Sequence, residues 1–147
     1  MRNLLNNVEI QRVINRNAGA SGGTVKGTII DMQGFRTATF VVLFENVLDT
    51  ADVDVQVAQG DADDTAQMTV SEAGVTRVAT ATSMDNKAIV IEVVEPLHRY
   101  LEIQVAIATA NAPLDGAIAI KSNGARVPTT QGSTVVDAET FVSPEAA

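Results

Sequence analysis

Two segments of the chain alternate apolar and polar residues with a period of two, and this alternation constrains the fold most strongly. In DVDVQVAQ, residues 52–59, three valines fall on one face of an extended strand. LEIQVAIA, residues 101–108, places four large residues on one face: Leu101, Ile103, Val105 and Ile107. Helical spacing would scatter these side chains, so both segments are predicted to be half-buried strands, with Glu102 and Gln104 facing away from the core.

Six further segments are predicted to be strands because they are rich in apolar and β-branched residues and are bounded by Gly, Asn, Asp or Pro. They are residues 8–14, 25–30, 36–44, 74–80, 87–94 and 117–121. About eight short strands separated by turns predict an all-β fold, an antiparallel β-sandwich or a Greek-key barrel-like domain. The best helix candidate is DDTAQMTVSEAG, where Asp64 could cap one or two turns.

The length of 147 residues predicts a single β domain spanning residues 1–147. Its core is expected at about residues 27–123, filled by small and β-branched side chains because aromatic residues make up only 3% of the chain. Residues 1–26 are predicted to form an N-terminal strand and a flexible, glycine-rich loop. Residues 124–147 are predicted to form an extended C-terminal tail that docks on a neighbouring molecule.

Composition excludes several classes of function. The chain has no cysteine, which excludes disulfides, thiolate metal sites and a cysteine nucleophile. Its formal net charge of −8 argues against a nucleic-acid partner. The longest apolar runs fall far short of the ~20 residues that cross a bilayer, and no signal peptide is visible, so no membrane partner is expected.

The segment PLHRYLEIQVAI, residues 96–107, contains the only histidine and the only tyrosine of the chain. A serine-type triad would have to use His98, and the sequence has no Gly-x-Ser-x-Gly elbow to accompany it. No catalytic site is therefore predicted, and the chain is not expected to be an enzyme. No cofactor is expected, since the GASGG segment lacks the lysine of a phosphate-binding loop. His98, Arg99 and Tyr100 are interpreted as the polar start of a strand, serving as scaffold or interface.

The acidic segment DADDTAQMTVSE offers one candidate metal site. The spacing of its polar residues matches positions 1, 3, 5, 7 and 12 of a helix-loop-helix calcium site: Asp61, Asp63, Thr65, Gln67 and Glu72. Position 6 is Ala66 where that loop needs glycine, and the preceding segment is a predicted strand rather than a helix. The sequence thus favours a solvated acidic loop, with calcium binding as the alternative.

Several motifs together carry a resemblance to a known family. An Ile-Asp turn and a Gly-Phe pair lead into a long strand, an Arg-Tyr pair opens the later strand, and an Ala-Arg-x-Pro closes the pattern. The residues are Ile30, Asp31, Gly34, Phe35, Phe40, Arg99, Tyr100, Ala125, Arg126 and Pro128. This pattern, covering most of residues 27–128, resembles the decoration or cement proteins of tailed-bacteriophage capsids. Pro96, Leu97 and His98 depart from it, since a glycine and a tyrosine often precede the Arg-Tyr pair in that family.

The resemblance implies a structural virion protein without catalytic activity. Such a protein binds the outer surface of the capsid and stabilises the shell by bridging subunits of the major capsid protein, commonly as a homotrimer. The residues expected at intermolecular interfaces are Asn17, Ser21, Lys26, Arg99, Arg126, Val135 and Phe141. Two alternatives stay open: a structural protein of the phage neck or tail, and a carbohydrate-binding or host-binding β module.

Overall fold

The computed structural model describes residues 3–140, apart from the side chains of residues 70–73. Its strands form two antiparallel sheets around one hydrophobic core, which confirms the predicted all-β sandwich. The strands are β1 (Glu9–Ile14), β2 (Thr24–Lys26), β3 (Ile30–Asp31), β4 (Thr37–Phe44), β5 (Asp52–Gly60), β6 (Thr69–Val78), β7 (Ala88–Val94), β8 (Tyr100–Ala108) and β9 (Leu114–Ser122). One helical turn, α1 (Leu4–Asn7), precedes β1.

The sheets differ in strand order. Sheet A runs β1-β9-β4-β7, and sheet B runs β2-β8-β5-β6, with β3 also paired to β8. This topology sorts the loops to two ends of the sandwich. The Leu97 end comprises residues 32–36, 61–68, 95–99 and 123–128, and the Asn111 end comprises residues 15–23, 45–51, 79–87 and 109–113.

The two segments with the clearest alternation are strands, as predicted, and they form the centre of sheet B. β5 and β8 pair over nine residues, with Val55 opposite Val105. All the apolar residues that were predicted to face inward are buried: Val53, Val55, Val57, Leu101, Ile103, Val105 and Ile107. Sheet A meets them with the alternate residues of β4: Ala38, Phe40, Val42 and Phe44. Burial of each large side chain contributes roughly 1.5–3 kcal/mol to stability.

Glu102 and Gln104 face away from the core, as predicted, but loop residues cover them. They lie on the outer face of sheet B, yet only 2% and 8% of their surfaces are exposed. Glu102 Oε1 accepts hydrogen bonds from Thr65 Oγ1 at 3.1 Å and from Gln104 Nε2 at 2.7 Å. The loop that follows β5 folds back over this face. Alternation identifies the two faces of a strand, but it does not show what covers the second face.

The predicted strand at residues 25–30 is two short strands, β2 and β3, separated at Gly27. A Cβ at Gly27 would lie 2.5 Å from Cγ2 of Ile103, so only glycine permits this close approach to β8. The next residue, Thr28, donates a hydrogen bond to the Val13 carbonyl at 2.8 Å and so links the two sheets along this side.

The predicted helix is only a single 3₁₀ turn, Thr65–Gln67, in which Asp64 accepts a hydrogen bond from the Ala66 amide at 3.0 Å. β6 then begins at Thr69, five residues earlier than the predicted strand at 74–80. Thr69 and Val70 favour extended backbone and end the turn. In the described part of the chain, no helix is long and apolar enough to cross a membrane.

The buried core extends beyond its predicted limits of 27–123. Val8, Val13 and Ile14 are at most 5% exposed and pack with the other core residues or beside them. β1 is therefore part of the sandwich, paired to β9 from Glu9 opposite Lys121.

Candidate interaction surface

The polar residues at the start of β8 tie that strand to β3. Arg99 donates two hydrogen bonds of 2.8 Å to the Asp31 carboxylate and one of 2.6 Å to Gln33 Oε1. Its guanidinium lies 5.1 Å from the centre of the Tyr100 ring. The hydrogen bond from Arg99 is the main cause of the lowered pKa of Asp31, and it raises the pKa of Arg99 itself. This bidentate contact fits the interpretation of Arg99 and Tyr100 as scaffold.

His98 contacts a carboxylate at the surface. Its Nδ1 lies 2.7 Å from Asp61 Oδ1, and the two side chains are 41% and 83% exposed. Among the described residues, the hydrogen bonds of the imidazole include none with a serine or threonine hydroxyl, which is the contact that would activate a nucleophile. The pair joins the loop after β5 to the segment before β8.

The residues of the candidate calcium loop have other partners. Asp61 contacts His98, the Thr65 hydroxyl contacts Glu102, and Asp63 is exposed. Glu72 belongs to β6, and its side chain lies outside the described set. Within the described residues, no group of three or more His, Cys, Asp or Glu side chains is placed to hold a metal ion.

Four exposed apolar side chains lie close together at the Leu97 end of the sandwich. Leu97 (87%) and Val127 (61%) lie in its loops, and Leu4 (65%) of α1 and Val94 (63%) at the end of β7 lie beside them. None of them contributes to the buried core. Clustered apolar side chains at the surface mark binding sites more often than singly scattered ones do.

These side chains line three adjoining depressions. A groove of about 900 Å³ contains Leu4, Val94 and Val127 in its walls, and depressions of about 590 and 330 Å³ flank Leu97. All three share Glu95. The Leu97 end therefore presents a continuous, indented surface rather than separate hydrophobic points.

The ridge between the depressions is a strained turn. Glu95 has a φ of +50°, which is uncommon for a residue with a side chain, and its amide donates to the Arg36 carbonyl at 2.7 Å. Pro96 follows and leaves Leu97 projecting into solvent.

Two exposed arginines border the apolar residues. Arg36 follows the turn at Gly34, and Arg126 lies in the segment after β9; neither forms an ion pair with a described residue. Exposed arginines that form no ion pair, next to exposed apolar side chains, are typical of protein–protein interfaces.

The base of this surface is rigid. Lys121 is 5% exposed, and its Nζ lies 3.3 Å from Glu9 Oε2, 3.1 Å from the Asp31 carbonyl oxygen and 4.9 Å from the centre of the Phe35 ring. One lysine thus connects β1, β3, β9 and the turn before β4. A rigid base lowers the entropic cost of binding a partner.

The predicted interface residues do not share one surface. Asn17 and Ser21 lie at the Asn111 end, Lys26 lies on the exposed side of β2, and Arg99 and Arg126 lie at the Leu97 end. Val135 is half-buried near β1, and Phe141 lies outside the described residues. The interface role of these residues stays a prediction.

The glycine-rich segment predicted as a flexible loop is tied to the sandwich. Asn17 forms a bridge with Leu114, and Ser21 donates its amide to Asn111 Oδ1 at 2.9 Å. Gly22 donates to the Ile107 carbonyl at 2.8 Å. Deleting residues 15–27 would also remove β2, so such a deletion would disturb the sheet as well as any interface.

The C-terminal tail lies along β1 of its own chain. Gln131 accepts a hydrogen bond from the Ile10 amide at 2.7 Å and donates one to the Val8 carbonyl at 2.8 Å. Thr134 Oγ1 accepts from the Arg12 amide at 3.1 Å. The described part of the tail therefore satisfies backbone groups at the edge of sheet A, a contact that its strand-poor sequence did not predict.

No protein-family model matches the sequence, and no curated protein sequence matches it. Among solved structures, the fold is similar to that of the PBSX exported protein XepA, with a TM-score of 0.51 and 14% identity; the match covers 100% of this chain and 46% of the XepA chain. The chain thus spans about half the length of XepA. A structure of infectious bursal disease virus, Gt strain, matches with a TM-score of 0.47 and 10% identity over 82% of this chain and 33% of the viral chain. At 14% identity, the likeness to XepA shows the fold alone.

Sequence reasoning missed the residues that form the surface at the Leu97 end. Leu97 appears in the sequence pattern only as part of a turn that departs from the family resemblance, and Leu4, Val94, Glu95 and Val127 carry no signal of their own. One signal was available: a leucine directly after a proline, between two strands, has no place in a period-two pattern and is free to project.

Proposed function

We propose that the chain is a structural protein of a bacteriophage particle. The observation that carries the proposal is the apolar, arginine-bordered surface at the Leu97 end, which folding alone does not require. The fold likeness to an exported protein of the phage PBSX supports a phage origin. The side chains that could take part in catalysis are His98 and those of the acidic loop. They form surface and capping contacts instead, which supports a structural rather than a catalytic role.

The finer proposal is that this chain binds the outside of the capsid and stabilises the shell by bridging subunits of the major capsid protein. The Leu97 end would face the shell, with Leu97, Val94 and Val127 covered by capsid side chains. Assembly as a homotrimer would present three such ends together, and simultaneous weak contacts would give high avidity. The resemblance of the Ile30, Asp31, Arg99 and Tyr100 motifs to decoration proteins supports this version.

Copy number in purified particles tests the proposal. Quantitative peptide mass spectrometry should give a ratio of this chain to the major capsid protein that is close to equimolar. A few copies per particle would favour the neck or tail alternative and overturn the decoration role. Absence from the particle would overturn the structural role altogether.

The proposed lack of catalysis has its own test. His98→Ala removes the only imidazole of the chain, and it should abolish no hydrolytic activity of the purified chain. A hydrolytic activity that disappears in this variant, while the fold is retained, would contradict the proposal.

A further inference from the structure

Three of the four sheet edges are protected against pairing with another strand. The β1 edge is covered by Gln131 and Thr134 of the tail. The opposite edge of sheet B consists of β2 and β3, only three and two residues long, and Thr28 ties it to β1. The β6 edge is irregular, because its register against β5 shifts between Gln56 and Ala58. Short, bulged or covered edges are the usual means of preventing strand addition.

The fourth edge, β7, has none of these features. Its seven residues, AIVIEVV, pair with β4 in unbroken register from Val94 opposite Thr37 to Ala88 opposite Leu43. No other described strand pairs with β7. Glu92 is its only charged residue, and it contains no proline or lysine. A long, flat and apolar edge is a ready template for another strand.

The pairing pattern identifies the backbone groups that this edge offers. Phe44 donates its amide to the Lys87 carbonyl, and Glu95 donates to the Arg36 carbonyl, one at each end of the ladder. Hydrogen-bonded and non-bonded pairs alternate in antiparallel strands, so residues 89, 91 and 93 bond to β4. The N–H and C=O groups of Val90, Glu92 and Val94 therefore point away from β4.

The inner side of β7 is also incompletely covered. Ile89, Ile91 and Val93 face the core but are only half-buried. A slot of about 330 Å³ lies between the sheets here, lined mainly by Val57, Gln59, Ile91, Val93, Leu97 and Leu101. Within the described residues, Gln59 Oε1 is buried and has no hydrogen-bond donor. A side chain from an added strand would fill this slot, and a donor on it would satisfy Gln59.

We propose that β7 receives an extended strand of the partner protein, which adds to sheet A as a fifth strand. The strand has apolar residues on its inward face and a lysine or arginine opposite Glu92. Charge supports this occupant: Glu92 and Glu95 are exposed carboxylates along the edge, whereas the Lys87 ammonium is directed back to the Ser83 carbonyl. A second copy of this chain would bring the same acidic strand and a net charge of −8.

The added strand would continue the surface at the Leu97 end, since Val94 belongs to both. The inference rests on the proposed function, in which the partner is the major capsid protein. It specifies how that protein is bound, namely by main-chain pairing with side-chain selection on alternate residues.

Val90→Pro tests the inference. Proline at this position removes an amide that points away from β4, so sheet A keeps its own hydrogen bonds while the added strand loses a donor and meets the proline ring. The matched control is Val90→Thr, which keeps the amide and the β-branched shape. In co-sedimentation with purified shells that lack this protein, Val90→Pro should bind about tenfold more weakly than wild type, and Val90→Thr should bind as wild type does. Both variants should show the wild-type circular dichroism spectrum.

The other outcomes separate the two proposals. Failure of the wild-type chain to sediment with shells overturns the proposed function, and with it the capsid strand as occupant. Wild-type binding that Val90→Pro leaves undiminished overturns strand addition alone. A free wild-type chain that dimerises, and that Val90→Pro converts to monomers, assigns the edge to a second copy instead.

Two further readouts address the details. On binding, hydrogen exchange at the amides of Val90, Glu92 and Val94 should slow, whereas unchanged exchange would overturn the pairing. Glu92→Lys should weaken binding about tenfold at low salt and less at high salt. Equal binding by Glu92→Lys would overturn the basic character of the strand.

Discussion

The two ends of the sandwich use their loop residues differently. At the Asn111 end, polar side chains are directed to backbone amides: Asp85 Oδ1 accepts from Val47, Asp49 Oδ1 from Ala81, and Asn111 Oδ1 from Ser21. At the Leu97 end, Asp31 and Asp64 accept backbone amides in the same way, but exposed apolar side chains also lie together around a groove. In the first arrangement, backbone amides of the loops find hydrogen-bond acceptors within the same chain. The second leaves apolar surface exposed to solvent.

This difference separates residues that maintain the fold from residues available for recognition. A residue that makes one of these backbone contacts at the Asn111 end should affect stability when it is changed and should affect binding little. A residue exposed at the Leu97 end should affect binding when it is changed and should affect stability little. The following variants test that division, in order of decreasing expected effect.

Gly19→Ala should cause the largest loss of stability. Gly19 has a φ of +60°, and a Cβ there would lie 1.8 Å from the Ala112 carbonyl oxygen, so the loop must move. We expect the free energy of unfolding in urea to fall by about 3 kcal/mol. Gly22→Ala is the control: its φ is +84° but no atom lies within 4 Å of the added Cβ, and it should cost only about 1 kcal/mol. Equal losses for the two variants would show that the contact with Ala112 is unimportant.

Leu97→Asp should have the largest effect on binding. If Leu97 is an anchor of the interface, its replacement by a charged residue should cost about 2 kcal/mol in affinity for shells, roughly a 30-fold loss. Leu48→Asp is the matched control, because Leu48 is 53% exposed but lies at the Asn111 end. Urea unfolding should change by less than about 0.5 kcal/mol for either variant. Equal loss of binding in both variants would remove the distinction between the ends.

The sequence predicted the parts of the fold that depend on local periodicity. The valines of β5 and the alternate residues of β8 are buried as expected, because a period of two specifies both the strand and its inner face. The sequence did not predict contacts between segments that are distant along the chain. The burial of Glu102 depends on a loop that crosses the sheet, and the break at Gly27 depends on contact with Ile103; neither partner is adjacent in sequence.

The candidate surface was harder to predict for a related reason. Arg99 and Tyr100 stand out in the sequence because they precede the alternating residues of β8. The structure places Arg99 in a bidentate contact with Asp31. The exposed residues at the Leu97 end are ordinary leucines and valines that resemble core residues in sequence. They come together because the ends of β7 and β9 meet α1 around one groove, which the chain order alone does not specify.

Asp85→Ala should produce a moderate loss of stability at the Asn111 end. Asp85 Oδ1 accepts the Val47 amide at 2.8 Å in a partly buried position, so its removal leaves that donor without a partner. A loss of about 1 kcal/mol is expected in urea unfolding. Asp115→Ala, at an exposed position of β9, should change stability by less than about 0.5 kcal/mol. A similar loss in both variants would indicate a general charge effect instead.

The Arg99–Asp31 contact at the Leu97 end should have the smallest effect, and that effect should depend on pH. Arg99 lowers the pKa of Asp31 below its ordinary value of 3.8, so the pair contributes stability above that pH and loses it as the pH falls through the folded-state pKa. Urea unfolding of wild type and Arg99→Ala should therefore differ most at about pH 6, and the difference should shrink below about pH 4.

Asp31→Asn supplies the control for this pH dependence, because the amide cannot ionise. In that background, Arg99→Ala should have the same effect at both pH values. A wild-type difference that stays constant as the pH falls would mean that Arg99 stabilises the turn through Gln33 and Tyr100 alone. The ion pair would then be incidental, and the Leu97 end would be held by packing and by neutral hydrogen bonds.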